Sequence, residues 1–176
     1  MEETIISTRK IYSGRIVNLE LHEVVLPDGK LGKREQIYHP GAAAVVALDE
    51  QQNILLVRQF RLAAKQITIE IPAGTLYPEE PPEECAAREM QEETGYKPGL
   101  LEPLGGFFVA PGYTTEYIHL FLATQLIPSS LTGDQDEFIE VLRMSFDDAL
   151  RMIDAGEIID GKTMTGILRV ARKLGL

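Results

Sequence analysis

Residues 74–96, "GTLYPEEPPEECAAREMQEETGY", place an acidic run inside a segment with the pattern of a helix. The predicted helix covers residues 83–94, with two prolines before it and Gly95 at the position that commonly ends a helix. At about 100° per residue, Glu89, Glu92 and Glu93 fall within an arc of roughly 100°. Carboxylates in this arrangement repel one another, by roughly a few tenths of a kcal/mol per pair.

The acidic face has two interpretations. Carboxylate oxygens on one helix face suit a hard cation such as Mg²⁺ or Mn²⁺, and Arg88 can pair with Glu92 one turn further on. The alternative is a solvated acidic surface, which is the commoner meaning of a run of charges. The helix alone favours the solvated surface, so the choice between the two interpretations depends on the residues around the helix.

The spacing of the whole stretch is specific. Gly74 lies six residues before Glu80, and seven residues separate Glu80 from Arg88. The stretch resembles the Nudix box, G-x5-E-x7-R-E-U-x-E-E-x-G-U, in which U is a bulky aliphatic residue. The matching positions are Gly74, Glu80, Arg88, Glu89, Met90, Glu92, Glu93 and Gly95. Tyr96 occupies the last position and is the one departure.

This resemblance implies a mixed α/β fold, the Nudix α/β/α sandwich with a mixed sheet, over residues 41–176. The order of predicted elements agrees, because many strands with one helix in the middle and two at the end favour α+β or mixed α/β. Ser145 and Asp148 resemble a capping box that opens the first of the two final helices. Residues 1–40 are predicted to form an N-terminal β-hairpin arm, which in the family commonly forms a homodimer.

The resemblance also implies a metal site. Glu89 and Glu93 correspond to direct metal ligands, and the backbone carbonyl of Ala73 corresponds to a further ligand. Glu92 would bind or tune a second ion and Arg88 would orient the glutamates, so both are candidate catalytic residues. Mg²⁺ is the expected cofactor, with Mn²⁺ as the alternative. Glu80 is expected to hold the loop and helix together.

A second resemblance indicates the substrate. Pro111 follows Gly95 by sixteen residues, as in the ADP-ribose pyrophosphatase branch of the family. In that branch Arg61 would pair with a substrate phosphate, while Glu70 and Glu116 would face ribose or phosphate. For each of these three the alternative is an ordinary surface role.

The same branch supplies a glutamate from a late loop to the metals and the attacking water. Within "GDQDEFIEV", residues 133–141, Glu137 is the best-aligned candidate for this catalytic role. Asp134, Asp136 and Glu140 are its neighbours and competitors. The alternative is a solvated acidic loop.

A competing phosphate motif fails on its context. Residues 156–163, "GEIIDGKT", match the P-loop pattern, with Lys162 and Thr163 at the expected positions. A P-loop leaves a buried strand and enters a helix, whereas the preceding segment has the pattern of an amphipathic helix. Only 13 residues follow Thr163, so a turn between two helices with Gly161 in the turn is the preferred interpretation.

The composition of the chain limits the classes of partner and the location that we expect for the protein. The net charge of −10 argues against binding to nucleic acid. The sequence contains no apolar run of about 18 residues, so we expect no helix that spans a membrane. One cysteine and no secretory signal favour a cytoplasmic protein.

The predicted activity is Mg²⁺-dependent hydrolysis of ADP-ribose to AMP and ribose 5-phosphate. The alternatives are a pyrophosphatase of another nucleoside diphosphate sugar, such as GDP-mannose, and a non-hydrolytic sensor of a nucleotide metabolite.

Overall fold

The computed structural model describes residues 1–132 and 138–176. The chain divides into two compact units, one formed by residues 1–41 and 108–117 and the other by residues 42–107 and 118–176.

The first unit contains a three-stranded antiparallel sheet in the order β1 (Thr4–Ser13), β2 (Asn18–Val25) and β3 (Leu31–Tyr38). The predicted hairpin corresponds to β2 and β3, which a turn containing Gly29 at a φ of +82° joins. Strand β1 is an addition to the predicted arm. All ten of its residues are exposed, so burial imposes no alternation by which the sequence would reveal this strand.

The remaining elements follow in chain order. They are β4 (Ala42–Leu48), β5 (Asn53–Arg61), β6 (Gln66–Glu70), β7 (Ala73–Thr75), α1 (Pro82–Thr94), β8 (Tyr96–Lys97), β9 (Leu100–Phe108), β10 (Tyr117–Thr124), β11 (Ile127–Pro128), β12 (Glu140–Ser145), α2 (Phe146–Asp154) and α3 (Gly161–Leu174). The large sheet has the order β12-β5-β4-β10-β9, with β6 on β5 and β7 on β4. It is mixed, because β4 runs parallel to β10 and antiparallel to β5. The short strands β8 and β11 pair separately.

Strand β4 lies in the middle layer of the fold, with α1 packed on one face of the sheet and α2 and α3 on the other. All seven of its residues are buried, as a strand covered on both faces requires. Ala43, Val45 and Ala47 share a core cluster with Cys85, Ala86 and Met90 of α1. Ala44, Val46 and Leu48 share the other cluster with Phe146 and Ala149 of α2 and Ile167 and Val170 of α3. The predicted mixed α/β class, with helices on both faces of a mixed sheet, is confirmed.

The helix ends follow the local sequence. Helix α1 has Pro82 at its start and ends at Gly95, whose φ of +76° suits glycine. The Ser145 side chain accepts a hydrogen bond from the Asp148 backbone N–H, which is the predicted cap of α2.

Helix α3 begins at Gly161, and the Asp160 side chain accepts from the Thr163 backbone N–H. Gly161 is therefore the first helical residue and not part of the turn. The segment preceding "GEIIDGKT" is α2, which confirms the rejection of the P-loop. Among the described residues, no helix has the length and apolar character needed to cross a membrane.

Candidate active site

Strand β7 brings its backbone against the acidic face of α1. A Cβ atom built on Gly74 would lie 1.9 Å from Oε1 of Glu89, far inside van der Waals contact. Only glycine at this position lets the Glu89 carboxylate reach the strand.

The neighbouring residue of β7 meets a second carboxylate. The Ala73 backbone N–H donates to Oε2 of Glu93 over 3.1 Å, and Glu93 is only 7% exposed. Two carboxylates of α1 therefore converge on consecutive backbone positions of β7.

Arg88 connects the acidic side chains of the box. Its Nη1 donates to Oε1 of Glu89 over 2.6 Å and to Oε2 of Glu92 over 3.0 Å, which confirms the predicted pairing with Glu92. Its Nε and Nη2 donate to the two carboxylate oxygens of Glu80 over 2.8 and 3.0 Å. The ring of Tyr77 covers the guanidinium, with its centroid 4.2 Å from Cζ. The Arg88 guanidinium thus offsets much of the repulsion among Glu80, Glu89 and Glu92.

Glu80 joins the loop to the helix. Besides the bonds from Arg88, it accepts a hydrogen bond from the Tyr77 backbone N–H over 3.0 Å. The hydrogen bonds from Arg88 lower the pKa of Glu80, and the hydrogen bond to Glu80 raises the pKa of Arg88. Both groups therefore remain charged at neutral pH, and the contacts agree with the expected structural role of Glu80.

The donor set fits a hard divalent cation by its chemistry. Every candidate ligand is an oxygen atom, and two of the carboxylates meet at β7, where Gly74 lets Glu89 approach the backbone. Glu89, Glu93 and the Ala73 carbonyl would hold the ion. Among the described residues no three acidic, His or Cys side chains already form a metal cluster, and Arg88 binds oxygens of Glu89 and Glu92. A cation at this site has to compete with Arg88 for Glu89.

Cys85 lies near these carboxylates but has a packing role. Its side chain is fully buried in the cluster between α1 and the sheet. Burial raises the pKa of the thiol to about 12, which leaves it protonated and weakly nucleophilic at neutral pH.

A second charged cluster is centred on Glu70, the last residue of β6. Arg61 donates from Nε and Nη2 to its two oxygens over 2.7 and 2.6 Å. Lys162 forms an ion pair with it from α3, and the Thr68 hydroxyl donates to it over 2.6 Å. Glu70 is 2% exposed, and burial alone would raise its pKa. The hydrogen bonds and charges of Arg61 and Lys162 outweigh burial and lower the pKa to about 2.

The two clusters are electrostatically coupled. The hydrogen bond to Glu70 is the main cause that raises the pKa of Arg61, and the negative charges of Glu93 and Asp160 raise it further. The charge of Glu93 in α1 therefore acts on Arg61, whose predicted contact with a substrate phosphate stays a prediction. Glu70 pairs with Arg61 and is almost fully buried, and its predicted contact with ribose or phosphate stays a prediction.

The other candidate residues lie elsewhere or outside the described part of the chain. Glu137, Asp134 and Asp136 lie outside the described residues, so the structure does not place the candidate catalytic glutamate. Their competitor Glu140 pairs with Arg58 over 3.0 Å.

The Pro111 loop and Glu116 belong to the first compact unit. The backbone carbonyl of Glu116 accepts from the Val109 N–H over 3.0 Å, and its own N–H donates to Thr114 Oγ1 over 3.1 Å. Their predicted roles toward substrate remain predictions.

Sequence reasoning missed two members of the site. Tyr77 occupies a variable position of the box, and no spacing indicates that its ring covers Arg88. Rejection of the P-loop leaves Lys162 without a predicted role, yet its side chain reaches Glu70 across 92 positions of sequence. The capping residue Asp160 was the available signal, because it shows that Lys162 lies in the first turn of a helix.

Comparison with known proteins agrees with this fold and site. The model of the NUDIX domain matches residues 37–165, and the model of the nucleoside diphosphate sugar hydrolase N-terminal domain matches residues 3–37. The chain belongs to the Nudix family of hydrolases, whose members generally use divalent metal ions.

Three curated relatives extend along most of the chain. It is 40% identical over 169 residues to an ADP-ribose pyrophosphatase of Bacillus subtilis, covering 95% of this chain and 91% of the relative. It is 40% identical over 168 residues to a methanol dehydrogenase activator of Bacillus methanolicus, with coverages of 94% and 91%. It is 38% identical over 155 residues to a GDP-mannose pyrophosphatase of Klebsiella pneumoniae, with coverages of 81% and 78%.

A solved structure supports the fold. A crystal structure of an ADP compounds hydrolase superimposes with a TM-score of 0.88 over 99% of this chain and 95% of that chain, at 20% sequence identity.

Proposed function

We propose that this hydrolase cleaves the diphosphate bond of ADP-ribose, giving AMP and ribose 5-phosphate, with Mg²⁺ as its cofactor. The observation that carries the proposal is the convergence of Glu89 and Glu93 on the backbone of β7. The similarity to an ADP-ribose pyrophosphatase over 95% of the chain supports the choice of substrate.

The chemistry explains why carboxylates are needed. A diphosphate bridge resists attack by water because its oxygens are negatively charged. A divalent cation neutralises that charge, positions a water molecule and lowers its pKa. In this chain Glu89, Glu93 and the Ala73 carbonyl would hold the cation, and Glu92 would serve a second ion. Arg88 fixes the direction of the glutamates by sharing one nitrogen between Glu89 and Glu92.

Arg61 is the proposed phosphate ligand. Two of its nitrogens bind Glu70, whereas Nη1 has no hydrogen bond to any described residue, and the side chain is 45% exposed. A guanidinium that is held on one edge and accessible on the other suits recognition of a phosphate. We retain Glu137 as the candidate that acts on the attacking water, and Pro111 and Glu116 as candidate substrate contacts.

The test of this function is a substrate panel. Purified protein is incubated with ADP-ribose, GDP-mannose and other nucleoside diphosphate sugars, with and without Mg²⁺, and the nucleoside monophosphate released is measured. ADP-ribose should give the highest kcat/KM, and chelation of divalent ions should abolish turnover. If ADP-ribose is not hydrolysed and GDP-mannose is hydrolysed rapidly, the proposed substrate is wrong. GDP-mannose is then the substrate, a candidate that the similarity to the relative from Klebsiella pneumoniae favours.

A further inference from the structure

We infer that Lys162, at the start of α3, is a positioning residue that holds Arg61 in place through Glu70. The inference deepens the proposed function, because it rests on Arg61 binding a phosphate of the substrate. Its basis is a continuous line of contacts from α3 through the buried end of β6 to the exposed end of β5.

The degree of burial assigns different tasks to the three charged groups. The Glu70 side chain is 2% exposed and that of Lys162 is 13% exposed, whereas that of Arg61 is 45% exposed. Arg61 is therefore the member that can meet a ligand. Lys162 is largely enclosed, so its charge acts mainly on the carboxylates around it.

Two cations and one hydroxyl hold the Glu70 carboxylate. Its Oε2 faces both Lys162 and Nη2 of Arg61, and its Oε1 faces Nε of Arg61 and the Thr68 hydroxyl. A buried carboxylate is stable only when its oxygens are fully paired. Without Lys162, Oε2 of Glu70 would depend on Arg61 alone, and we expect the guanidinium to turn inward or lose its fixed direction.

Hydrogen bonds in the first turn of α3 fix the position of Lys162 beside Glu70. Lys162 also pairs with Asp160 over 3.1 Å, and Asp160 accepts from both the backbone N–H and the hydroxyl of Thr163. The Thr163 hydroxyl in turn accepts from the Ile71 backbone N–H over 2.8 Å. The start of α3 is thus bonded directly to the residue that follows Glu70.

The experiment compares Lys162→Met with Lys162→Arg, which keeps a cation, and with Lys173→Met as the matched control. Lys173 lies on the same helix and forms an exposed ion pair with Glu102 over 2.7 Å. For ADP-ribose hydrolysis, Lys162→Met should raise KM by about tenfold with kcat changed by less than about threefold. Lys162→Arg should retain most of the affinity, and Lys173→Met should behave as the wild type.

A double-mutant cycle separates positioning from direct contact. In an Arg61→Ala background, Lys162→Met should have little further effect on KM, because the group that it positions is gone. A full tenfold loss in that background would overturn the inference, since Lys162 would then act on the substrate independently of Arg61. Equal thermal unfolding of the compared variants shows that folding does not cause the difference.

A readout without substrate tests the positioning directly. In ¹⁵N NMR spectra of the wild type, the Arg61 Nε–Hε signal, assigned by its loss in Arg61→Lys, should be sharp and slow to exchange with water. Lys162→Met should broaden or remove it, and an unchanged signal would refute the inference. The NMR result does not depend on turnover. If the wild type hydrolyses no substrate in the panel, the proposed function is refuted, and the NMR comparison still tests the role of Lys162. Should Lys162→Met fail to fold, Lys162→Gln carries the same comparisons.

Discussion

At the scale of single residues, the site depends on a few side chains that each meet several partners. Arg88 contacts Glu80, Glu89 and Glu92, and Glu70 contacts Arg61 and Lys162. Apart from Arg61, these side chains are largely enclosed, where removal of one partner costs more than it does on an exposed surface.

Gly74→Ala tests the close approach of β7 to α1. The added methyl group would overlap the Glu89 carboxylate, for which the ideal Cβ position is only 1.9 Å from Oε1. Displacement of a predicted metal ligand by about 1 Å should lower kcat/KM by about a hundredfold. Steady-state kinetics at saturating Mg²⁺ check this. Gly161→Ala is the control, because a Cβ at that position meets no atom within 4 Å.

Glu70→Gln tests the buried ion pairs through the pH dependence of stability. The folded-state pKa of about 2 lies below the ordinary value of 4.5, so this carboxylate stabilises the fold above that value. The contribution falls as the pH drops from about 4.5 toward 2, and it is on the order of 2–3 kcal/mol. Denaturant unfolding at pH 7 and pH 3 should show a smaller difference for Glu70→Gln than for the wild type.

Glu140→Gln provides the control for this measurement, because Glu140 forms an ion pair with Arg58 in which both side chains are exposed. It should leave the difference between pH 7 and pH 3 unchanged within error. An equal difference in the wild type and Glu70→Gln would contradict the buried pairing.

At the scale of elements, some features were predictable from the sequence and others were not. Helix α1 was predictable because Pro82 and Gly95 mark its ends and because the box fixes the spacing of its glutamates. The pairing of Arg88 with Glu92 was also predictable, since residues four apart on a helix are neighbours. The pairing of Lys162 with Glu70 was not, because no local rule connects a helix start to a strand end 92 positions away. Strand β1 escaped prediction because none of its side chains is buried.

The two C-terminal helices allow a prediction at this scale. Ser145→Ala and Asp160→Ala each remove a side-chain cap and should lower the free energy of unfolding by about 1 kcal/mol. Only Asp160→Ala should also raise KM for the substrate, because its helix presents Lys162 to Glu70. Unfolding curves and initial rates of both variants check the pair. A similar rise of KM in Ser145→Ala would contradict a specific role for the start of α3.

At the scale of the whole molecule, the Nudix fold was the most predictable property. The box specifies a loop, a helix and their packing on a strand, and these elements carry the proposed metal ligands. The N-terminal unit was less predictable, because its sheet is defined more by pairing between strands than by burial.

We propose that the protein is a homodimer whose arm, residues 1–40, contributes to the association. The exposed strand β1 carries Ile5, Ile6, Ile11 and Tyr12 at its surface, each about half exposed or more, and burial of such side chains would favour association. Light scattering coupled to size-exclusion chromatography should give twice the chain mass of 19.6 kDa, that is 39.2 kDa. A mass of 19.6 kDa at micromolar concentration would contradict the dimer.

In the proposed function, the carboxylates of α1 hold the divalent cation that hydrolysis of ADP-ribose requires. The most direct measurement is the rate of AMP release at saturating Mg²⁺ for the wild type, Glu93→Gln and Glu83→Gln. Glu83 is an exposed glutamate in the first turn of the same helix and serves as the control. Glu93→Gln should lose at least about a hundredfold in kcat, while Glu83→Gln retains the wild-type rate. A folded Glu93→Gln variant with undiminished turnover would contradict the metal site.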